Sequence, residues 1–198
     1  MSSVTAEVVR EYFETQGYLV SQPRKYIVPA RTKRAEEEVD LVICRPALAE
    51  NTLLESFVWQ TSDLKGVSRA VVGIRGWHTN RFYLSTFEKT PEILRFVEPD
   101  SVKYAAKHLG SSDVAKILCI PKLPASGELK NRTIRVLRQK GIDGVISFRT
   151  MLAELISGVD SNKNYNKSDL LQIIRLLKNY ELLKEGQLEL FGRRRRRQ

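Results

Sequence analysis

Cysteine and histidine are scarce. The 198 residues hold two of each, Cys44, Cys119, His78 and His108. No two of them stand at metal-ligand spacing, which argues against a structural zinc site. Each cysteine lies inside an apolar stretch, so the pair reads as buried free thiols in a reducing cytoplasm rather than a disulfide framework. Long apolar runs are also missing; Ile117-Leu118-Cys119-Ile120 is far too short to span a bilayer. Residues 1–20 carry Glu7, Arg10, Glu11 and Glu14 in place of an apolar signal core, so no secretory peptide is expected. There is no Gly-x-x-x-x-Gly-Lys phosphate loop, no Gly-x-Gly-x-x-Gly turn and no serine nucleophile elbow. Nucleotide-fold enzymes and serine hydrolases are thereby disfavoured.

What is present is enough for a core. The chain is 42% hydrophobic, with seven Tyr, seven Phe and two Trp, which excludes wholesale disorder. Its length predicts one domain with a modest appendage.

The net charge is +10, and its excess is local. Residues 122–150 contain Lys122, Lys130, Arg132, Arg135, Arg138, Lys140 and Arg149 against only Glu128 and Asp143. Arg193, Arg194, Arg195, Arg196 and Arg197 supply the rest, and elsewhere the charges balance. Such concentration favours an anionic partner, DNA or RNA first. A membrane surface is disfavoured, because no amphipathic basic–aromatic helix accompanies the charge.

Apolar spacing predicts a helix over 4–16 stopped by Gly17, then strand pieces Tyr18 to Val20 and Tyr26 to Val28. Val39 to Cys44 and Ala70 to Arg75 read as strands. Thr90-Pro91 opens a short helix to Val97, and Asp100 caps another closed by Gly110. Thereafter come a strand Val114 to Ile120, a helix Glu128 to Lys140, a strand Val145 to Ser147 and a helix Met151 to Ile156. Ser168 caps a last helix through Leu183, with Leu170, Ile173, Ile174 and Leu177 on one face and Tyr180 continuing it. This order predicts an α/β sandwich, a mixed central sheet flanked by helices. The expected organisation is a core over 1–158, a linker 159–167, a C-terminal helix 168–185, and a terminal peptide with an arginine tail over 186–198.

Chemistry could sit at Glu36-Glu37-Glu38-Val39-Asp40. Residues two apart on a strand share a face, so Glu38 and Asp40 point the same way, and a hard cation such as Mg²⁺ relieves their repulsion. Some thirty residues later comes Gly73-Ile74-Arg75-Gly76-Trp77-His78. A helix, then strands, with an Asp on one strand and a residue–x–cation on the next, resembles the PD-(D/E)XK phosphodiesterase superfamily, the restriction-endonuclease-like nucleases. The resemblance spans about 4–147.

By position, Asp40 then matches the metal-binding Asp, Gly73 the second acidic residue and Arg75 the Lys. Glu7 or Glu11 stands where an auxiliary acid lies. Gly73 offers no ligand, and Arg75 does not readily surrender a proton. If the site is active, Asp40 and Glu38 hold Mg²⁺, Arg75 stabilises developing charge and His78 assists as base. In the alternative arrangement Glu36 to Glu38 are a solvated run, Asp40 salt-bridges Arg75, and Trp77 and His78 merely pack.

Two further features point to DNA. On the helix 128–140, Arg132, Arg135 and Arg138 share a side opposite Leu129, Thr133, Val136 and Leu137, a row suited to backbone phosphates. Gln187-Leu188-Glu189-Leu190-Phe191 is similar to the pentapeptide Gln-Leu-(Ser/Asp)-Leu-Phe by which bacterial DNA-metabolism proteins dock on the replicative sliding clamp. A chance match in a chain this long is roughly a few per thousand on average residue frequencies. Leu190 and Phe191 would anchor in an apolar pocket, while Gln187 fixes register and Leu188 completes the match. The alternative is a short terminal strand folding Leu188 and Leu190 back on the core.

The sequence therefore predicts a cytoplasmic, nucleoid-associated DNA-binding protein with a nuclease-like core and weakened or lost catalysis, tethered to the clamp in repair or replication. Two alternatives stand beside it: an active Mg²⁺-dependent endonuclease, and a protein-interaction module that binds no nucleic acid.

Overall fold

A computed structural model describes residues 3–23, 39–53, 55–76 and 90–183. Helix α1 (Ser3–Thr15) precedes strands β1 (Leu19–Ser21), β2 (Leu41–Cys44) and β3 (Arg69–Ile74). A 3₁₀ helix (Pro91–Val97) leads into α2 (Pro99–Leu109), then β4 (Ala115–Ile120), α3 (Gly127–Gln139), β5 (Gly144–Ser147), α4 (Phe148–Gly158) and α5 (Asp169–Asn179). The five strands lie in chain order. The pairs β1–β2 and β2–β3 are antiparallel, and β3–β4 and β4–β5 are parallel. This is the expected mixed central sheet.

Both faces are covered, so the inner strands are apolar throughout instead of alternating. Val8, Val9, Tyr12 and Phe13 of α1, Met151 and Leu155 of α4, and Leu171 and Ile174 of α5 pack with Leu41, Val72 and Ile117 on one face. Ile93, Leu94 and Phe96 of the 3₁₀ helix, Ala105 of α2 and Leu137 of α3 pack with Val42, Val71 and Leu118 on the other. Cys119 is buried and Cys44 half-buried, and burial pushes the Cys119 thiol pKa upward.

The free edge of β5 is covered by 57–59, a stretch with no clear pattern in the sequence. Val145 donates to the Phe57 carbonyl and Trp59 to the Val145 carbonyl, each at 2.8 Å. Trp59 packs so closely that a Cβ on Gly144 would lie 2.1 Å from its ring.

Several boundaries differ from the periodicity reading. Helix α2 starts one residue before Asp100, at Pro99 with Glu98 in the cap position, because proline suits the first helical turn. Helix α4 is longer than Met151 to Ile156: Ser147, the last strand residue, also caps it by accepting the Thr150 amide. Helix α5 ends at Asn179 rather than Leu183, since Glu181 adopts φ +56 and cannot continue it. Its inward residues are Leu171 and Ile174, whereas Ile173 is 54% and Tyr180 74% exposed.

Candidate nucleic-acid interface

The register that pairs Leu41 with Val72 sets Asp40 opposite Gly73, at the end of β3 where Arg75 emerges. Asp40 Oδ2 accepts the Ile74 amide at 2.7 Å and is bridged by Arg75 Nη1. Arg75 Nε donates to the Ile93 carbonyl and Nη1 to the Ile74 carbonyl, each at 2.8 Å. Its guanidinium also lies 5.5 Å from the centre of the Phe96 ring. The two side chains keep only 14% and 17% of their exposure, so charge, hydrogen bonds and ring contact act with little screening. Of the alternative arrangement, the Asp40–Arg75 salt bridge is present.

Gly73 is closed to a ligand by packing. A Cβ there would stand 2.4 Å from Cε1 of Phe96, a ring with no exposed surface. A guanidinium already engages Asp40 Oδ2, and the aromatic ring over Gly73 leaves no room there for a side-chain ligand beside it. Among the described residues no three His, Cys, Asp or Glu side chains gather. Glu36, Glu37, Glu38, Trp77 and His78 lie outside the described residues.

Glu7 and Glu11 face elsewhere. They line a cleft of about 650 Å³ between α1 and the start of α5, with Asn166, Lys167, Ser168 and Asp169 opposite, and neither Asp40 nor Arg75 belongs to its walls. Burial raises the Glu11 pKa, a hydrogen bond with Ser168 opposes that, and the charges of Glu14 and Glu7 add to the rise.

Helix α3 presents the basic row. Thr133 and Leu137 are buried and fix its inner side; Arg132, Arg135 and Arg138 are exposed. At about 100° per residue the three fan across the outer half of the helix. Arg138 lies on the flank toward β5, donating to the Glu55 carbonyl at 3.0 Å with its guanidinium 5.2 Å from the Phe57 ring centre. Arg132 and Arg135 form no ion pair with a described residue. Of the two acids in residues 122–150, Asp143 is held by the Lys116 ammonium at 3.1 Å and its amide at 2.7 Å, and Glu128, exposed four residues before Arg132, leaves the three arginines in excess on this face. Two free guanidiniums and one braced against an aromatic ring are the result.

The bracing of Arg138 was illegible in the sequence, as Phe57 lies far away along the chain. A second missed element is Asn51. Its side-chain oxygen accepts the Ser68 amide at 2.8 Å, and its own amide donates to Asp113 Oδ2 at 2.7 Å, joining the starts of β3 and β4. That bond, with a second from the Asn51 side chain, holds the Asp113 pKa down. Gln187, Leu188, Leu190, Phe191 and the arginines 193–197 lie outside the described residues.

No family model matches this chain, and neither a curated protein nor a solved structure matches it. Among the described residues no helix is long and apolar enough to cross a membrane.

Proposed function

We propose that this chain is a DNA-binding protein on a restriction-endonuclease-like α/β framework whose phosphodiesterase site has been replaced by a structural ion pair. The observation that carries the reading is the contrast between two sets of arginines. Arg75 is consumed by Asp40 and two carbonyls, whereas Arg132 and Arg135 stand unpaired on an exposed helix. Unpaired guanidiniums on one face suit backbone phosphates and give affinity without sequence information.

The order helix, three strands, helix, strand, helix, strand supports the resemblance drawn from residues 4–147. The similarity of Gln187-Leu188-Glu189-Leu190-Phe191 to the clamp-docking pentapeptide supports tethering at sites of DNA repair or replication. A tether lets a weak phosphate-binding face work by raising its local concentration on DNA. Arg193 to Arg197 would then add phosphate contacts beside the clamp, and the protein would reside with the nucleoid.

The test has two arms. Incubation with branched, nicked and single-stranded DNA plus Mg²⁺ or Mn²⁺ is expected to give salt-sensitive binding and no cleavage. Pull-down on the bacterial sliding clamp is expected to succeed and to be abolished by Leu190→Ala with Phe191→Ala. Metal-dependent cleavage lost in Asp40→Ala would establish the endonuclease instead. Absence of DNA binding would leave the protein-interaction reading.

A further inference from the structure

Arg132, Val136 and Gln139 follow the i, i+4, i+7 spacing that sets them in one row along α3. Val136 and Gln139, with Lys140, form one wall of a cleft. The other wall is Leu94 and Val97 of the 3₁₀ helix, with Glu98 and Pro99 where α2 begins. The cleft has a volume of about 410 Å³, within the roughly 300–1,000 Å³ of small-ligand sites. Aliphatic carbons of Leu94, Val97, Pro99 and Val136 line it, while Glu98, Gln139 and Lys140 are exposed polar groups on its walls. Arg132 stands one turn further along the same row, and Arg135 beside it.

We infer that this cleft receives an unpaired nucleobase of a DNA strand whose phosphates lie on Arg132 and Arg135. The inference rests on the DNA-binding reading above and narrows it to DNA that contains unpaired nucleotides: a single strand, a flap or a gap.

Charge decides what enters and what stays outside. The Glu98 carboxylate and the Lys140 ammonium offset each other on its walls, so the cleft offers a phosphate no net attraction, and the unpaired guanidiniums hold it outside. A neutral base suits the interior: its faces meet aliphatic walls, and its edge presents amino and carbonyl groups to Glu98, Gln139 and Lys140. A base within an intact duplex must first be unstacked and flipped to reach such a site, so paired DNA is left with the phosphate contacts alone.

The experiment uses the full chain and a single-stranded DNA oligonucleotide carrying 2-aminopurine between adenines, beside the same strand in a blunt duplex. Insertion between aliphatic walls removes stacking without adding an aromatic quencher. Emission on the single strand is expected to rise several-fold at saturation, with no change on the duplex. Val136→Phe fills the cleft; it is expected to abolish the rise and weaken single-strand binding about tenfold, at unchanged duplex affinity.

Saturable binding by the wild-type chain with no rise in emission would overturn the inference, and this result does not depend on any variant folding. A rise that persists in a folded Val136→Phe would overturn it too. Should Arg132→Ala with Arg135→Ala leave both oligonucleotides bound as before, the phosphate-row reading beneath it fails, and the inference with it.

Discussion

The ring of Phe96 occupies the space into which a side chain on Gly73 would project, with Cε1 only 2.4 Å from the position of its Cβ. The residue that the superfamily resemblance would make acidic is therefore glycine for a packing reason. Gly73→Glu is expected to destabilise the fold by about 3 kcal/mol or more, combining overpacking with a buried carboxylate. It is not expected to install Mg²⁺-dependent cleavage. Urea unfolding reads the first outcome and a nicking assay the second; a stable, active variant would contradict the packing argument.

Asp40 has a structural task that can be measured apart from DNA. Its removal leaves the Arg75 guanidinium without its counter-ion and the Ile74 amide without its acceptor. Asp40→Ala is expected to cost about 3 kcal/mol, the order found when one partner of a largely buried pair is lost. DNA affinity of the folded variant at fixed salt should stay within about twofold, a free-energy change well under 1 kcal/mol. Denaturant titration and fluorescence anisotropy make the comparison.

The three arginines of α3 should separate by their partners. Arg132→Ala and Arg135→Ala are each expected to lower the slope of log affinity against log salt by about 0.9 on duplex DNA, as one phosphate contact is lost. Arg138→Ala should change that slope less, because its guanidinium is already placed on Phe57 and the Glu55 carbonyl. It should instead lower stability, by about 1 kcal/mol, through lost ring contact and hydrogen bonding. Equal slopes for all three variants would refute the distinction.

Glu11 sets a pH dependence of known sign. Burial raises its pKa above the ordinary 4.5, so the native state holds the proton more tightly than the unfolded chain does. That contribution to stability is complete below 4.5 and is lost as pH rises through the native value. Glu11→Gln, neutral at every pH, should therefore melt at a higher temperature than the wild type near neutrality. The difference should close in acid. Thermal unfolding across that range checks it, and a lower melting temperature at neutrality would reverse the assignment.

Much of the architecture was legible along the chain because the signals involved are local. Val71, Val72 and Ile74 of β3, and Ile117 to Ile120 of β4, mark strands buried on both faces by their unbroken apolar character. Gly17 and Gly110 take the left-handed conformations that end α1 and α2. The side of α3 that carries Arg132 and Arg135 follows from a 3.6-residue period alone.

Helix α5 shows where a local signal stops. Its hydrophobic residues surround more of the helix than one core can bury, so spacing found Ile174 but joined it to the exposed Ile173 and Tyr180 and missed Leu171. The choice was made by how the helix seats against α1.

By itself, the sequence determined the mixed sheet of strands between helices and the concentration of positive charge on α3, since period and charge need only neighbours a few residues apart. Only the tertiary structure decided that Asp40 belongs to Arg75, that Phe96 closes Gly73, and that Arg138 is braced while Arg132 and Arg135 stand free. Those facts depend on strand register and on which distant segment covers each face, and no local pattern in the chain encodes either.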